Sequence, residues 1–281
     1  MLSALSGVGL IPDPTGGPRD DDAVPVEFVA PPPTGRVYVS ERRVHLGDVD
    51  ASARLRLEAL ARYLQDVATD DADDARVPER NGVWVLRSVD VEIRSRPWYH
   101  DPLELTTFCS GSGPRWAERR TTIRGARGTA VEAAAVWVFV DRARGRPIPL
   151  DEDFFAIYGD AARDRKVRGR LRHDRPGAEI ETRPWPLRVS DFDVLDHVNN
   201  ARSLEAIEDE LARLVPGRVP VRMSVEYRGT VERGDAVELA GEIRTTDTPE
   251  EAELAAWMIV GDEVRMSARV TVRAPGGARE S

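Results

Sequence analysis

Lysine is almost missing from this sequence: Lys166 is the only one, and arginine supplies the rest of the 40 lysines and arginines. That skew reads as a trace of GC-rich coding, not of a function. Cysteine occurs once, at Cys109, which excludes an intrachain disulfide and a cysteine-built metal cluster. No apolar run reaches the roughly 20 residues of a membrane-spanning helix, so no membrane partner is expected. Positive charge is in deficit as well. The formal net charge of -9 leaves no global basic field to gather phosphates, which argues against nucleic acid as a partner. The apolar stretch 2–11 lacks the basic flank of a secretory signal. A reducing, cytoplasmic setting without export is the expectation. No H-E-x-x-H, G-x-S-x-G or Gly-rich phosphate loop occurs, and no histidine has a partner at metal-ligand spacing. Neither a metal nor a cofactor is expected. His45, His100 and His173 read as structural or solvated.

Residues 1–34 are rich in Pro, Gly and Asp, including Asp20-Asp21-Asp22 and Pro31-Pro32-Pro33. Such a stretch buries too little apolar surface to offset its ordering entropy, so it is expected to be a disordered tail, as is 274–281. Between the tails one pattern occurs twice. In 35–150 a strand-like run (36–46) leads to a helix with Leu57, Leu60, Ala61, Leu64, Val67 and Ala68 on one face. Strand candidates follow at 83–93, 103–109, 116–124 and 131–140, separated by turn signals such as Gly111-Ser112-Gly113-Pro114. After a linker at 151–180 the order returns in 181–273. A strand at 181–189 precedes a helix carrying Leu204, Ile207, Leu211 and Leu214, stopped by Pro216-Gly217. Strands at 219–227, 236–244, 252–260 and 264–272 complete it, the last two joined at Gly261-Asp262.

Individual residues echo across the copies. Asp48-Val49-Asp50 corresponds to Asp191-Phe192-Asp193, Leu57-Glu58-Ala59-Leu60 to Leu204-Glu205-Ala206-Ile207, Ser88-Val89-Asp90 to Ser224-Val225-Glu226, and Asp101 to Asp235. Four echoes in the same order indicate duplication. The predicted class is α+β: a tandem, or double, hotdog, each half an antiparallel sheet wrapped around a long helix that covers its apolar face.

One segment of the second copy carries chemistry. Asp191 to Asn200 reads D-F-D-V-L-D-H-V-N-N and sits between a strand and a helix start. Asn199 and Asn200 suit a helix N-cap, and a lone D-x-D or N-N would mean no more than a cap and a turn. The whole string is more specific. It resembles the active-centre motif of hotdog thioesterases, above all the two-domain acyl-acyl-carrier-protein thioesterases. Asn81-Gly82-Val83-Trp84-Val85-Leu86, Pro97-Trp98-Tyr99-His100-Asp101 and Gly111-Ser112-Gly113 are similar to that family's N-terminal domain in order and spacing. The resemblance covers 36–273. It implies hydrolysis of fatty acyl-acyl carrier protein, with Asp193 as the catalytic carboxylate, His197 as the motif histidine, and acyl carrier protein as partner. The first half would then shape the acyl pocket.

The chemistry fits. A thiol resembling cysteine leaves as thiolate at a pKa of about 8.5, so the harder tasks are activating water and stabilising the oxyanion. Asp193 could serve as general base or nucleophile, His197 as an orienting group, and first-turn amides after His197 as polarising donors. Three positions depart from the family pattern: Leu195 stands where Asn is usual, Thr230-Val231 where a Glu-Cys pair follows E-Y-R, and Ser203 where Tyr is usual. Glu232 could supply that carboxylate only through a one-residue insertion. In the first copy Asp50 persists, but Arg54 replaces the histidine. The run Arg163, Arg165, Lys166, Arg168, Arg170, Arg172 and Arg175 is a candidate docking surface for an acidic carrier, set against a merely solvated linker. Other functions to weigh are an acyl-CoA thioesterase, a non-catalytic acyl-thioester binding protein, and a hotdog hydratase. The oligomeric state is open, a homodimer included.

Overall fold

A computed structural model describes residues 26–77 and 82–275. Residues 1–25 and 276–281 of the expected tails, and Asn81, lie outside the described residues. Both copies follow the predicted order. The first contains β1 (Val37–Arg43), α1 (Leu57–Asp74), β2 (Gly82–Ser95), β3 (Pro102–Ser112), β4 (Trp116–Gly125) and β5 (Ala130–Asp141). Then comes α2 (Glu152–Ala162). The second contains β6 (Thr182–Pro184), α3 (Ser203–Leu214), β7 (Val219–Tyr227), β8 (Val237–Thr245), β9 (Glu251–Val260) and β10 (Glu263–Arg273). The strands form one antiparallel sheet in the order β1-β3-β4-β5-β2-β7-β10-β9-β8-β6. Each half is thus a three-strand meander between an outer strand and a long strand at the seam.

Helical spacing determines what each helix buries. Leu57, Leu60, Ala61, Leu64 and Val67 of α1 and Leu204 and Ile207 of α3 join strand residues of both halves in one apolar core. Fully burying each Leu, Ile or Val side chain is worth about 1.5–3 kcal/mol, which holds the helices against the sheet. At the seam Val89 pairs with Val225, flanked by Ser88 with Glu226 and Asp90 with Ser224. Exchanging the strands exchanges those flanking pairs, so the Ser-Val-Asp and Ser-Val-Glu echo marks a local two-fold axis.

Three segments differ from expectation. Residues 151–180, read as a linker, contain α2. Asp151 caps it by accepting from the Phe154 amide (2.9 Å), and Phe154, Tyr158 and Ala162 pack against Cys109 and Ala117. The strand expected over 181–189 shortens to Thr182–Pro184, because Pro184 and Pro186 have no N–H to donate to a ladder. Residues 26–34 carry no regular element, yet they touch the fold: the Arg120 guanidinium lies 4.6 Å from the Phe28 ring centroid.

The remainder of the linker is pinned at the seam. Trp116 Nε1 donates to the Val167 carbonyl (2.9 Å). His173 is buried, its Nδ1 3.0 Å from Ser267 Oγ and its Nε2 3.1 Å from Ser224 Oγ. Burial, then the neighbouring Arg269, Arg172 and Arg228, push its pKa down to about 3, so it is a neutral clasp.

Candidate active site

The segment 191–200 folds back on itself before α3. The Asp193 amide donates to the His197 carbonyl (2.9 Å), and the Asp196 amide donates to the Asp193 carbonyl (3.0 Å). Asp196 turns the chain with φ at 60°. Asp191 is buried and braces the loop: its carboxylate accepts from the Arg188 amide (2.6 Å), and its carbonyl from the Asn199 amide (2.8 Å). The Val198 amide reaches the Val231 carbonyl (2.9 Å), tying the loop to the segment that follows β7. Asp191 is therefore a brace, and Asp193 is the carboxylate the loop presents.

Asp193 and His197 border one cavity of about 200 Å³ between the halves. Trp84, Leu86 and Trp137 line it from the first half; Tyr227, Val231 and Met258 line it from the second. Asp193 is half-buried and its Oδ1 accepts from the Leu195 amide (2.8 Å). His197 is buried. The two side chains make no hydrogen bond to each other among the described residues, so the backbone couples them.

The first-turn amides sort into spent and unspent. Ala201 N–H goes to Asn199 Oδ1 (2.8 Å), so Asn199 caps an irregular turn rather than α3 itself, which begins at Ser203. Ser203 N–H goes to the Asn199 carbonyl (3.1 Å), and those of Val198 and Asn199 are committed as above. Asn200 also lines the cavity, and its N–H has no acceptor among the described residues. Its carbonyl is fixed from behind by the hydroxyls of Ser203 (2.6 Å) and Tyr227 (2.9 Å). Among the residues that line the cavity, the broad expectation of first-turn donors thus narrows to the Asn200 amide.

Two departures from the motif acquire a physical account. Leu195 lines the cavity and packs on the cluster of Trp116, Val136, Val138 and Val140, so it anchors the loop to the first half. Glu232 does not replace the missing carboxylate. It is exposed, pairs with His197 only through the backbone, and is not among the lining residues, whereas Thr230 and Val231 are. Cys109 lies away from this cavity, and burial pushes its thiol up to about 11, so it is no nucleophile.

The first copy repeats the loop bond for bond. The Asp50 amide donates to the Arg54 carbonyl (2.8 Å), Leu55 to Pro97 (2.9 Å), and Arg56 to Asp48 (2.9 Å); Ala53 has φ at 61°. In this register Leu57 matches Asn200 and Leu60 matches Ser203. The sequence echo of Leu57–Leu60 with Leu204–Ile207 is therefore one helical turn out of step. The side chains have diverged. The Arg54 guanidinium carbon lies 3.3 Å from the Trp98 ring centroid, and Arg96 pairs with Asp50 (3.1 Å). The Leu57 amide donates to Glu208 Oε1 of α3 (2.6 Å). Sequence comparison missed Glu208, because a cap contributed from the other copy leaves no local pattern.

The basic run is partly neutralised. Arg165 pairs with Glu118 (2.6 Å) and Arg172 with Asp90 (2.8 Å). Arg163, Lys166, Arg168 and Arg175 are exposed and make no ion pair among the described residues. The run passes beside the site, since Val167 joins the cluster that holds Leu195 and Arg228 donates to the His173 carbonyl (2.7 Å).

Comparison with known proteins agrees with this architecture. Residues 35–158 match the acyl-ACP thioesterase N-terminal domain, and residues 175–271 match the C-terminal domain. An uncharacterised protein of Mycobacterium tuberculosis is 26% identical over 89% of this chain and 96% of its own length. The chloroplastic palmitoyl-acyl carrier protein thioesterase of Arabidopsis thaliana is 23% identical over 69% of this chain, which spans only 52% of that relative. Among solved structures, the 12:0-ACP thioesterase from Umbellularia californica superimposes with a TM-score of 0.72 at 15% identity, covering 85% of this chain and 94% of that one. An acyl-ACP thioesterase from Bacteroides thetaiotaomicron gives 0.67 at 19% identity, covering 84% and 98%. The chain belongs to the acyl-ACP thioesterase family and is a thioester hydrolase of the double hotdog fold.

Proposed function

We propose that Asp193 and His197 carry the hydrolysis of fatty acyl-acyl carrier protein to free fatty acid and carrier protein. The supporting observation is convergence. Asp193, His197 and Asn200, whose backbone N–H is uncommitted among the described residues, all line one cavity with apolar walls. The acyl chain lies against Leu86, Trp137 and Met258, and the thioester carbonyl meets the Asn200 amide. Asp193 takes a proton from water as the oxygen attacks the carbonyl carbon, and His197 orients that water. Negative charge collects on the carbonyl oxygen, where a fixed N–H is worth most in a dry site. The C–S bond then breaks, and the thiolate recovers the proton from Asp193. The first copy offers an internal parallel, since its equivalent amide already holds a carboxylate oxygen, that of Glu208.

The first half, 35–150, supplies pocket wall, and the second, 181–273, supplies the reacting groups. Arg163, Lys166, Arg168 and Arg175 form the docking surface for an acidic carrier. A cytoplasmic setting accords with the single unpaired cysteine, and among the described residues no helix is long and apolar enough to cross a membrane. A homodimer would extend a pairing the chain already makes internally, and sedimentation reads it directly.

Hydrolysis measured over acyl length on both carrier protein and coenzyme A, beside Asp193→Ala, is the test. Asp193→Ala should lose about 10²–10⁴-fold with an unchanged melting temperature. Lys166, Arg168 and Arg175 changed together to Glu should raise KM for the carrier-protein substrate alone. Full activity in Asp193→Ala would refute the site, and equal KM shifts on both carriers would refute the docking surface.

A further inference from the structure

A second, smaller cavity of about 20 Å³ lies against α1, lined by strands of the first half and by Asn200, Ala201 and Tyr227 of the second. Leu86, Trp137, Asn200 and Tyr227 line both cavities, so these four residues form the waist between them. Leu86 and Trp137 face each other across β2 and β5, immediately before a register shift in that ladder. Opposite them, the Tyr227 hydroxyl donates to the Asn200 carbonyl (2.9 Å), which closes the other side.

The smaller chamber exists because small side chains line it: Ala61, Ala133, Ala135 and Ala201. Its far wall is polar and fixed. Arg119 lines it while pairing with the buried Asp71 (2.7 Å), which also accepts from Arg36 (2.7 Å) and the Tyr158 hydroxyl (3.1 Å). Breaking into that network would strand a buried carboxylate, so the wall is not displaced to lengthen the site. A void of this size holds about one water-sized group, and hence no more than a terminal methyl.

We propose that the Leu86–Trp137 waist sets the acyl-chain length, with the chain body in the outer cavity and at most its methyl end in the alanine-lined chamber. This rests on the outer cavity being the acyl site. Leu86 is the better handle. Trp137 Nε1 is buried without an acceptor among the described residues, so replacing Trp137 changes polarity and size together. Leu86→Ala removes three carbons and changes size alone.

Two measurements on the full chain test it: binding of saturated fatty acids of 8 to 18 carbons by calorimetry, and hydrolysis of the matching acyl-carrier-protein series. Leu86→Ala should move the preferred length up by about two to three carbons, as the deleted side chain leaves that room. The long-to-short ratio of kcat/KM should rise tenfold or more. Ala61→Leu, which fills the chamber, should lower the longest length bound. If Leu86→Ala melts below assay temperature, Leu86→Val should give a smaller shift in the same direction. A folded Leu86 variant with the wild-type profile in both series overturns the proposal. If fatty-acid binding follows Leu86 while no thioester is cleaved, the waist stands and the catalytic assignment falls.

Discussion

The loops at 48–57 and 191–200 have the same backbone and opposite contents. Each begins with a buried Asp bracing the turn, presents a second Asp, reverses through a residue of positive φ, and ties itself to the segment just past the next long strand. In the second copy the presented groups border a cavity. In the first, Arg96 ties the Asp50 carboxylate, Arg54 stacks on Trp98, and Glu208 of the other copy takes the amide at the helix start. Duplication preserved the scaffold, because its hydrogen bonds are made by the backbone and by one bracing Asp. It did not preserve the chemistry, which depends on a few side chains and on an empty space before them.

Exchanging contents between the loops should cost far more activity than any change at the first copy alone. His197→Arg places the first copy's residue in the second. It should lower hydrolysis by about 10²-fold or more, because the imidazole is lost and a longer guanidinium takes its place beside Asp193. Stopped assays on the carrier-protein substrate read it, and near-wild-type rates would mean that His197 is not needed. A smaller effect should come from the plug in the first copy. Burial raises the Glu208 pKa to about 7, against the opposing pull of the Leu57 amide, Arg56 and Arg96. Its folded value exceeds its unfolded one. The cost of ionising it therefore grows as pH rises from about 4.5 to 7 and is constant above. Glu208→Gln keeps an acceptor for the Leu57 amide without that cost. It should melt about 2–4 °C higher than wild type at pH 8, with the gap closing towards pH 4.5. A gap independent of pH would mean that Glu208 is not the titrating group.

Much of this architecture was legible in residue order. The long strands and both core helices follow from apolar periodicity, and the Ser-Val-Asp and Ser-Val-Glu echo falls on the two-fold axis. What periodicity could not reach is α2, a short apolar face directly before the arginine-rich run, and the early end of β6, where prolines outweigh the extended pattern. At the site, the sequence placed Asp193 and His197 before one helix. It could not tell which amides were already spent, because that depends on Asp191, Asn199 and Val231 folding around them. Leu195 looked like a lost polar group; packed between the halves, it holds the loop in place. Glu208 was invisible, since it acts on a helix start 151 residues away in sequence.

If the two like-folded loops have one working carboxylate between them, hydrolysis rates of Asp193→Asn and Asp50→Asn, measured side by side on one acyl-carrier-protein substrate with melting curves for both, will separate them. Asp193→Asn should lose about 10²–10⁴-fold and Asp50→Asn should stay within about twofold of wild type. Comparable losses in both folded variants, or none in Asp193→Asn, would mean that the loops do not differ in this way.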